Sequence, residues 1–77
     1  QTMINVRMSE RVDVTANPQV QAAVAEVEST LGNSGRVLLR LSGTEPLVRV
    51  MVEGSNASTV NELCTNLATK VKQALAD

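Results

Sequence analysis

Arg40 and Arg49 stand on either side of the run Ser42-Gly43-Thr44-Glu45-Pro46. Arginine presents a planar fork of N–H donors, serine and threonine add hydroxyls, and glycine lets a ligand close on backbone amides. Together these groups are the donor set for a tetrahedral oxyanion. The same residue types also make an ordinary turn flanked by two solvated arginines, because Ser, Gly, Thr and Pro are common in turns. What separates the two readings is whether the flanking segments aim both arginines to one side.

The flanking segments read as strands. Val37, Leu39 and Leu41 alternate before the turn, and Val48, Val50 and Val52 alternate after it. A period of two in aliphatic and β-branched residues is that of a strand with one buried face. The connection of five residues, 42–46, suits a hairpin. Successive side chains point to opposite faces. If the two apolar sets share a core, Arg40 and Arg49 therefore share the other face, beside the turn. Leu41, between Arg40 and Ser42, is expected to point to the core.

The rest of the chain supplies that core. Thr2 to Met8 has a strand pattern, with Ile4, Val6 and Met8 on one face and Met3, Asn5 and Arg7 on the other. Ser9 to Ala16 reads as a loop in which Val12 and Val14 form a short extra strand. Asn17 and Pro18 are a helix start, and Val20, Val24, Val27 and Leu31 recur on one helical face up to the stop at Gly32. Glu26 and Glu28 fall on the solvent side. Ser55-Asn56-Ala57-Ser58 offers N-caps for a second helix reaching about Leu75, with Val60, Leu63, Cys64, Leu67, Val71, Ala74 and Leu75 in one stripe. Glu62 early and Lys70 and Lys72 late complement the helix dipole. The order β-α-β-β-α predicts an α+β, two-layer sandwich: a mostly antiparallel sheet with two helices on one face. The opposite sheet face, with Arg7, Leu38, Arg40, Arg49, Met51 and Glu53, is predicted to lie open and to suit contact with other domains.

Composition narrows the function. A chain of 77 residues is one small domain, burying about 60–65% of its unfolded surface. Hydrophobic content is 43% and aromatic content is zero, which argues against recognition of RNA or single-stranded DNA by base stacking. The net charge of −1 provides no basic field for nucleic acid or an anionic membrane. The chain has no His and a single Cys, so a histidine base, an internal disulfide and a cysteine metal cluster are excluded. Cys64 reads as a core thiol, and Asp13 and Asp77 join no ligand motif. No apolar run nears the ~20 residues of a membrane span. The start at Gln1 reads as that of a piece of something longer, in a reduced, cytoplasmic setting.

Arg40-Leu41-Ser42-Gly43-Thr44-Glu45-Pro46, followed by Arg49 and Glu53, resembles the phosphate-binding loop of the α-D-phosphohexomutases. The likeness runs through both strands in GRVLLRLSGTEPLVRVMVEG. It continues more weakly in Ile4-Asn5-Val6-Arg7 and both helical segments. The resemblance implies that residues 1–77 are the last, TBP-like domain of a four-domain enzyme. It assigns the substrate phosphate to Arg40, Ser42, Gly43, Thr44 and Arg49, and no catalytic residue, metal or cofactor to this chain. The phosphoserine nucleophile, Mg²⁺-binding aspartates and sugar-specificity loop belong to the other domains. Within the family the run looks most like isomerases that interconvert glucosamine 6-phosphate and glucosamine 1-phosphate for amino-sugar nucleotide and cell-wall precursor synthesis. Implied partners are the phosphosugar and the other domains, with no nucleic acid and no membrane. Glu45, acidic beside a phosphate, is expected to turn away and hold an arginine. The alternative is a stand-alone module of the same fold that binds a small metabolite or a protein through the open sheet.

Overall fold

The computed structural model describes residues 1–8 and 13–76. Strand β1 (Thr2–Arg7), helix α1 (Pro18–Leu31), strands β2 (Gly35–Leu41) and β3 (Leu47–Gly54) and helix α2 (Ala57–Ala76) follow in the expected order. The three strands lie in the order β1-β3-β2, and both pairings are antiparallel. β1 and β2 therefore run in the same direction with β3 between them, so the β1-α1-β2 unit is split by the strand that arrives last.

The alternation of the strands sets the register. Ile4, Val50 and Leu39 are paired across the sheet on its inner face, as are Val6, Val48 and Leu41. Val48, Val50 and Val52 are 0% exposed. Both helices cover this face. Val20, Ala23, Val27 and Leu31 of α1 and Val60, Cys64, Leu67, Ala68 and Val71 of α2 complete one aliphatic core. Ala23 and Ala68 are absent from the predicted stripes. Ala23 lines the groove between α1 and α2, a tertiary contact that periodicity alone does not reveal, and Ala68 is 4% exposed within the same core.

Local chemistry ends each element. Asn17 Oδ1 accepts from the amides of Gln19 and Val20 at 2.8 and 3.3 Å, satisfying donors that the first turn of a helix leaves open. Gly32, at φ +55, closes α1, and a short 3₁₀ turn over Gly32–Ser34 leads into β2. Among the four cap candidates of α2, Asn56 accepts the Thr59 amide at 3.0 Å. Neither the first nor the last turn of α2 carries the complementary charge, so Glu62, Lys70 and Lys72 lie too far inward to act on the helix ends. Where the hairpin opens, Gly35 pairs with Gly54. A Cβ on Gly35 would lie 2.1 Å from the Glu53 carbonyl oxygen, so the two strands meet there as closely as glycine permits.

The extra strand expected at Val12 and Val14 is corrected by the structure. Val14 opens a 3₁₀ turn, Val14–Ala16, while Val12 and Asp77 lie outside the described residues. The Asp13 carboxylate accepts the Thr15 amide at 3.1 Å. Such a local side-chain bond offers the backbone an alternative to a sheet ladder, and Val14 buries its side chain from the turn instead.

Candidate functional site

The open face of the sheet is a set of rows, each read across the strands from the register. Arg36 lies across from Glu53. Leu38, Met51 and Met3 form the next row, followed by Arg40, Arg49 and Asn5. Beyond these, Leu47 faces Arg7 at the loop end. The structure thus brings Arg40 and Arg49 directly opposite each other on adjacent strands, both exposed. Like charges in this arrangement repel and destabilise a sheet.

The four arginines among the described residues of the sheet differ in their partners. Arg7 Nη2 lies 2.9 Å from Glu45 Oε2, and Arg36 pairs with Glu53. Among the described residues, neither the Arg40 nor the Arg49 side chain has a hydrogen bond or an ion pair. The expectation for Glu45 is met in this form: it turns aside and holds Arg7, from β1. The identity of that partner was not read from the sequence, although the parity of Arg7 along β1 already places it on the open face.

The loop is ordered by its own serine. Ser42 is 8% exposed, and its Oγ accepts from the amides of Thr44 and Glu45, each at 3.3 Å. Those two amides therefore serve the turn. Ser42 N donates to the Leu47 carbonyl at 2.9 Å, and Leu47 N donates to the Glu45 carbonyl at 2.8 Å. The second bond closes a three-residue turn centred on Pro46, whose fixed φ suits it. The Pro46 carbonyl accepts from Met8 N at 2.8 Å, tying the loop exit to the end of β1. Thr44 is exposed. Among the described residues a Cβ on Gly43 would meet nothing within 4 Å, and its φ is not positive. The packing of the described residues therefore does not require glycine there.

A groove of about 350 Å³ gathers these groups, with Arg40, Arg49, Ser42, Gly43 and Thr44 at one end and Met3, Leu38 and Met51 at the other. Leu41 lines it too, although its side chain also packs on the core. A second groove, of about 300 Å³ between α1 and α2, has Glu26 and Lys70 among its walls and no paired like charges. Cys64 is 0% exposed, and burial pushes its thiol pKa up against weaker opposing contacts from the backbone of Val52 and Ile4. Its sulfur lies 3.5 Å from the carbonyls of Thr2 and Val50, the setting of an inert core thiol. Among the described residues no three His, Cys, Asp or Glu side chains converge to hold a metal ion.

Sheet, helices and loop define a two-layer α+β domain that carries a cluster of cationic and hydroxyl groups on its central hairpin. The chain belongs to the family described as phosphoglucomutase/phosphomannomutase, C-terminal domain, which matches residues 3–70. It is 55% identical over 76 residues to the phosphoglucosamine mutase of Methylococcus capsulatus, and covers 99% of this chain but 17% of that protein. Identity and coverage are the same against the phosphoglucosamine mutase of Cellvibrio japonicus. The fold matches Aspergillus fumigatus N-acetylphosphoglucosamine mutase, solved in complex with GlcNAc-6P and magnesium. That match has a TM-score of 0.79 and 30% identity, over 96% of this chain and 15% of that one.

Proposed function

We propose that residues 1–77 are the C-terminal, substrate-phosphate-binding domain of a phosphoglucosamine mutase, a four-domain cytoplasmic isomerase that interconverts glucosamine 6-phosphate and glucosamine 1-phosphate. The observation that carries the reading is the Arg40–Arg49 pair: two cations opposed in register, without a counter-ion among the described residues. A phosphate dianion converts their repulsion into two charge-assisted contacts. Thr44 adds a hydroxyl, Ser42 shapes the turn, and the lack of a Cβ at Gly43 removes a side chain from the anion's path.

The domain's contribution is positioning. It holds the phosphate that is not reacting, so that binding energy remote from the reacting centre orients the sugar for transfer. A site that reads a phosphate rather than sugar hydroxyls accepts the sugar in either direction, as an exchange between the 1- and 6-positions demands. Magnesium accompanies the substrate in the fungal relative. Among the described residues no group of carboxylate, thiol or imidazole side chains fits such an ion.

The test is an amide-shift titration of the chain with glucosamine 6-phosphate. The largest shifts are expected at residues 42–44. Binding strengthens above pH about 6, where a phosphomonoester gains its second charge, and weakens with salt because the site is exposed. Largest shifts on α2 would overturn the reading.

A further inference from the structure

Arg7 stands on the same open face as Arg40 and Arg49, on the outer strand β1 and across from Leu47. Its partner, Glu45, belongs to the loop itself, one residue after Thr44. The Glu45 amide is bonded to Ser42 Oγ, so its backbone is held in the turn while its side chain is 51% exposed and held only at its tip. A carboxylate released there is an anion at high local concentration beside two arginines that have no counter-ion among the described residues. It competes for the groups a phosphate needs. The bridge to Arg7 Nη2, at 2.9 Å, draws that carboxylate to the β1 side, away from Arg40 on β2 at the other edge of the sheet. The anchor is itself secured, because Met8 N, the next backbone donor, bonds the Pro46 carbonyl at the loop exit.

We infer that Arg7 is a positioning residue for the anion site: by pairing with Glu45 it keeps the loop's own carboxylate from occupying Arg40 and Arg49 in place of a phosphate. The inference rests on the phosphate-site reading above and adds to it a residue outside the loop motif. Side chains of Arg7 and Glu45 are 71% and 51% exposed, and pairs so exposed add little to stability. The role is therefore visible in binding rather than in melting.

The experiment titrates four forms of the chain with inorganic phosphate at low ionic strength: wild type, Arg7→Gln, Glu45→Gln and the double variant. Amide shifts at residues 42–44 give affinity, and thermal melts run in parallel. Arg7→Gln is expected to bind phosphate several-fold more weakly, while Glu45→Gln binds at least as tightly as wild type. The double variant should recover the affinity of Glu45→Gln, and all four should melt alike. If Arg7→Gln binds like wild type, the inference fails. It fails also if the double variant is as weak as Arg7→Gln, because Arg7 then acts as one more cation. A wild-type chain with no shifts at 42–44 overturns the site reading itself, and that result needs no variant.

Discussion

Removing one charge of the Arg40–Arg49 pair should move stability and binding in opposite directions. Arg40→Met and Arg49→Met keep an apolar stem of similar length and delete the guanidinium. The two residues are register partners, and two unit charges about 6 Å apart in water repel by roughly 0.7 kcal/mol. That agrees with the range of about 0.2–1 kcal/mol for cross-strand charge pairs. In a small domain each kcal/mol shifts the melting point by about 4–8 °C. Without phosphate and at low salt, either variant should therefore melt at or a few degrees above wild type. Binding goes the other way. One charge-assisted hydrogen bond contributes about 1.5–3 kcal/mol, so affinity should fall roughly 10- to 150-fold. The assay is a thermal melt with and without phosphate. At ten times its Kd, phosphate stabilises wild type by about 1.4 kcal/mol, a shift of several degrees, most of which both variants should lose. A variant that melts well below wild type without phosphate, or gains as much from phosphate, refutes the argument.

Other outcomes follow from the same structure. Gly43→Ala should fold normally, gaining about 0.4–1 kcal/mol from a stiffer unfolded chain, because no atom of the described residues lies within 4 Å of the new Cβ. Its phosphate affinity should nevertheless drop, and a titration paired with a melt separates the two. Cys64 has a folded-state pKa raised by burial, so above the ordinary thiol pKa of about 8.5 the unfolded chain ionises first. Its contribution is intact below that pH and is lost as pH rises through the folded value. Melts from neutral to alkaline pH should fall more steeply for wild type than for Cys64→Ser. Finally, the purified 77-residue chain should not interconvert glucosamine 6-phosphate and glucosamine 1-phosphate in a coupled assay. Measurable turnover would place a nucleophile in this chain.

Much of the fold was legible because it is written in local periods. Two alternating runs around a turn fixed the hairpin, and Asn17-Pro18 and Gly32 fixed the ends of α1. The facing of Arg40 and Arg49 followed from alternation alone. What escaped depends on neighbours distant in sequence or on side-chain hydrogen bonding. The 3₁₀ turn at Val14 hinges on the Asp13 carboxylate. The burial of Ala23 requires two helices to meet. Leu47 shares the parity of Arg49, yet is 7% exposed, a consequence of its place at the loop end where β1 and the turn converge. Ser42 reads from sequence as a ligand donor, and what its residue type does not announce is that its oxygen also accepts from two loop amides.

The separation of the sheet into an apolar face and a charged one also guards the pairing itself. Sliding one strand by a single residue would carry all of its side chains to the opposite face. For β2 that would turn Arg36 and Arg40 toward the apolar core under α1, and for β3 it would bury Arg49 and Glu53. A buried, unpaired charge costs several kcal/mol, against roughly 4–12 kcal/mol of total stability for a domain of this size. Misregistered hairpins are thus excluded by the very arginines that strain the correct one, and a neutral Met at both positions should leave the strands freer to slip.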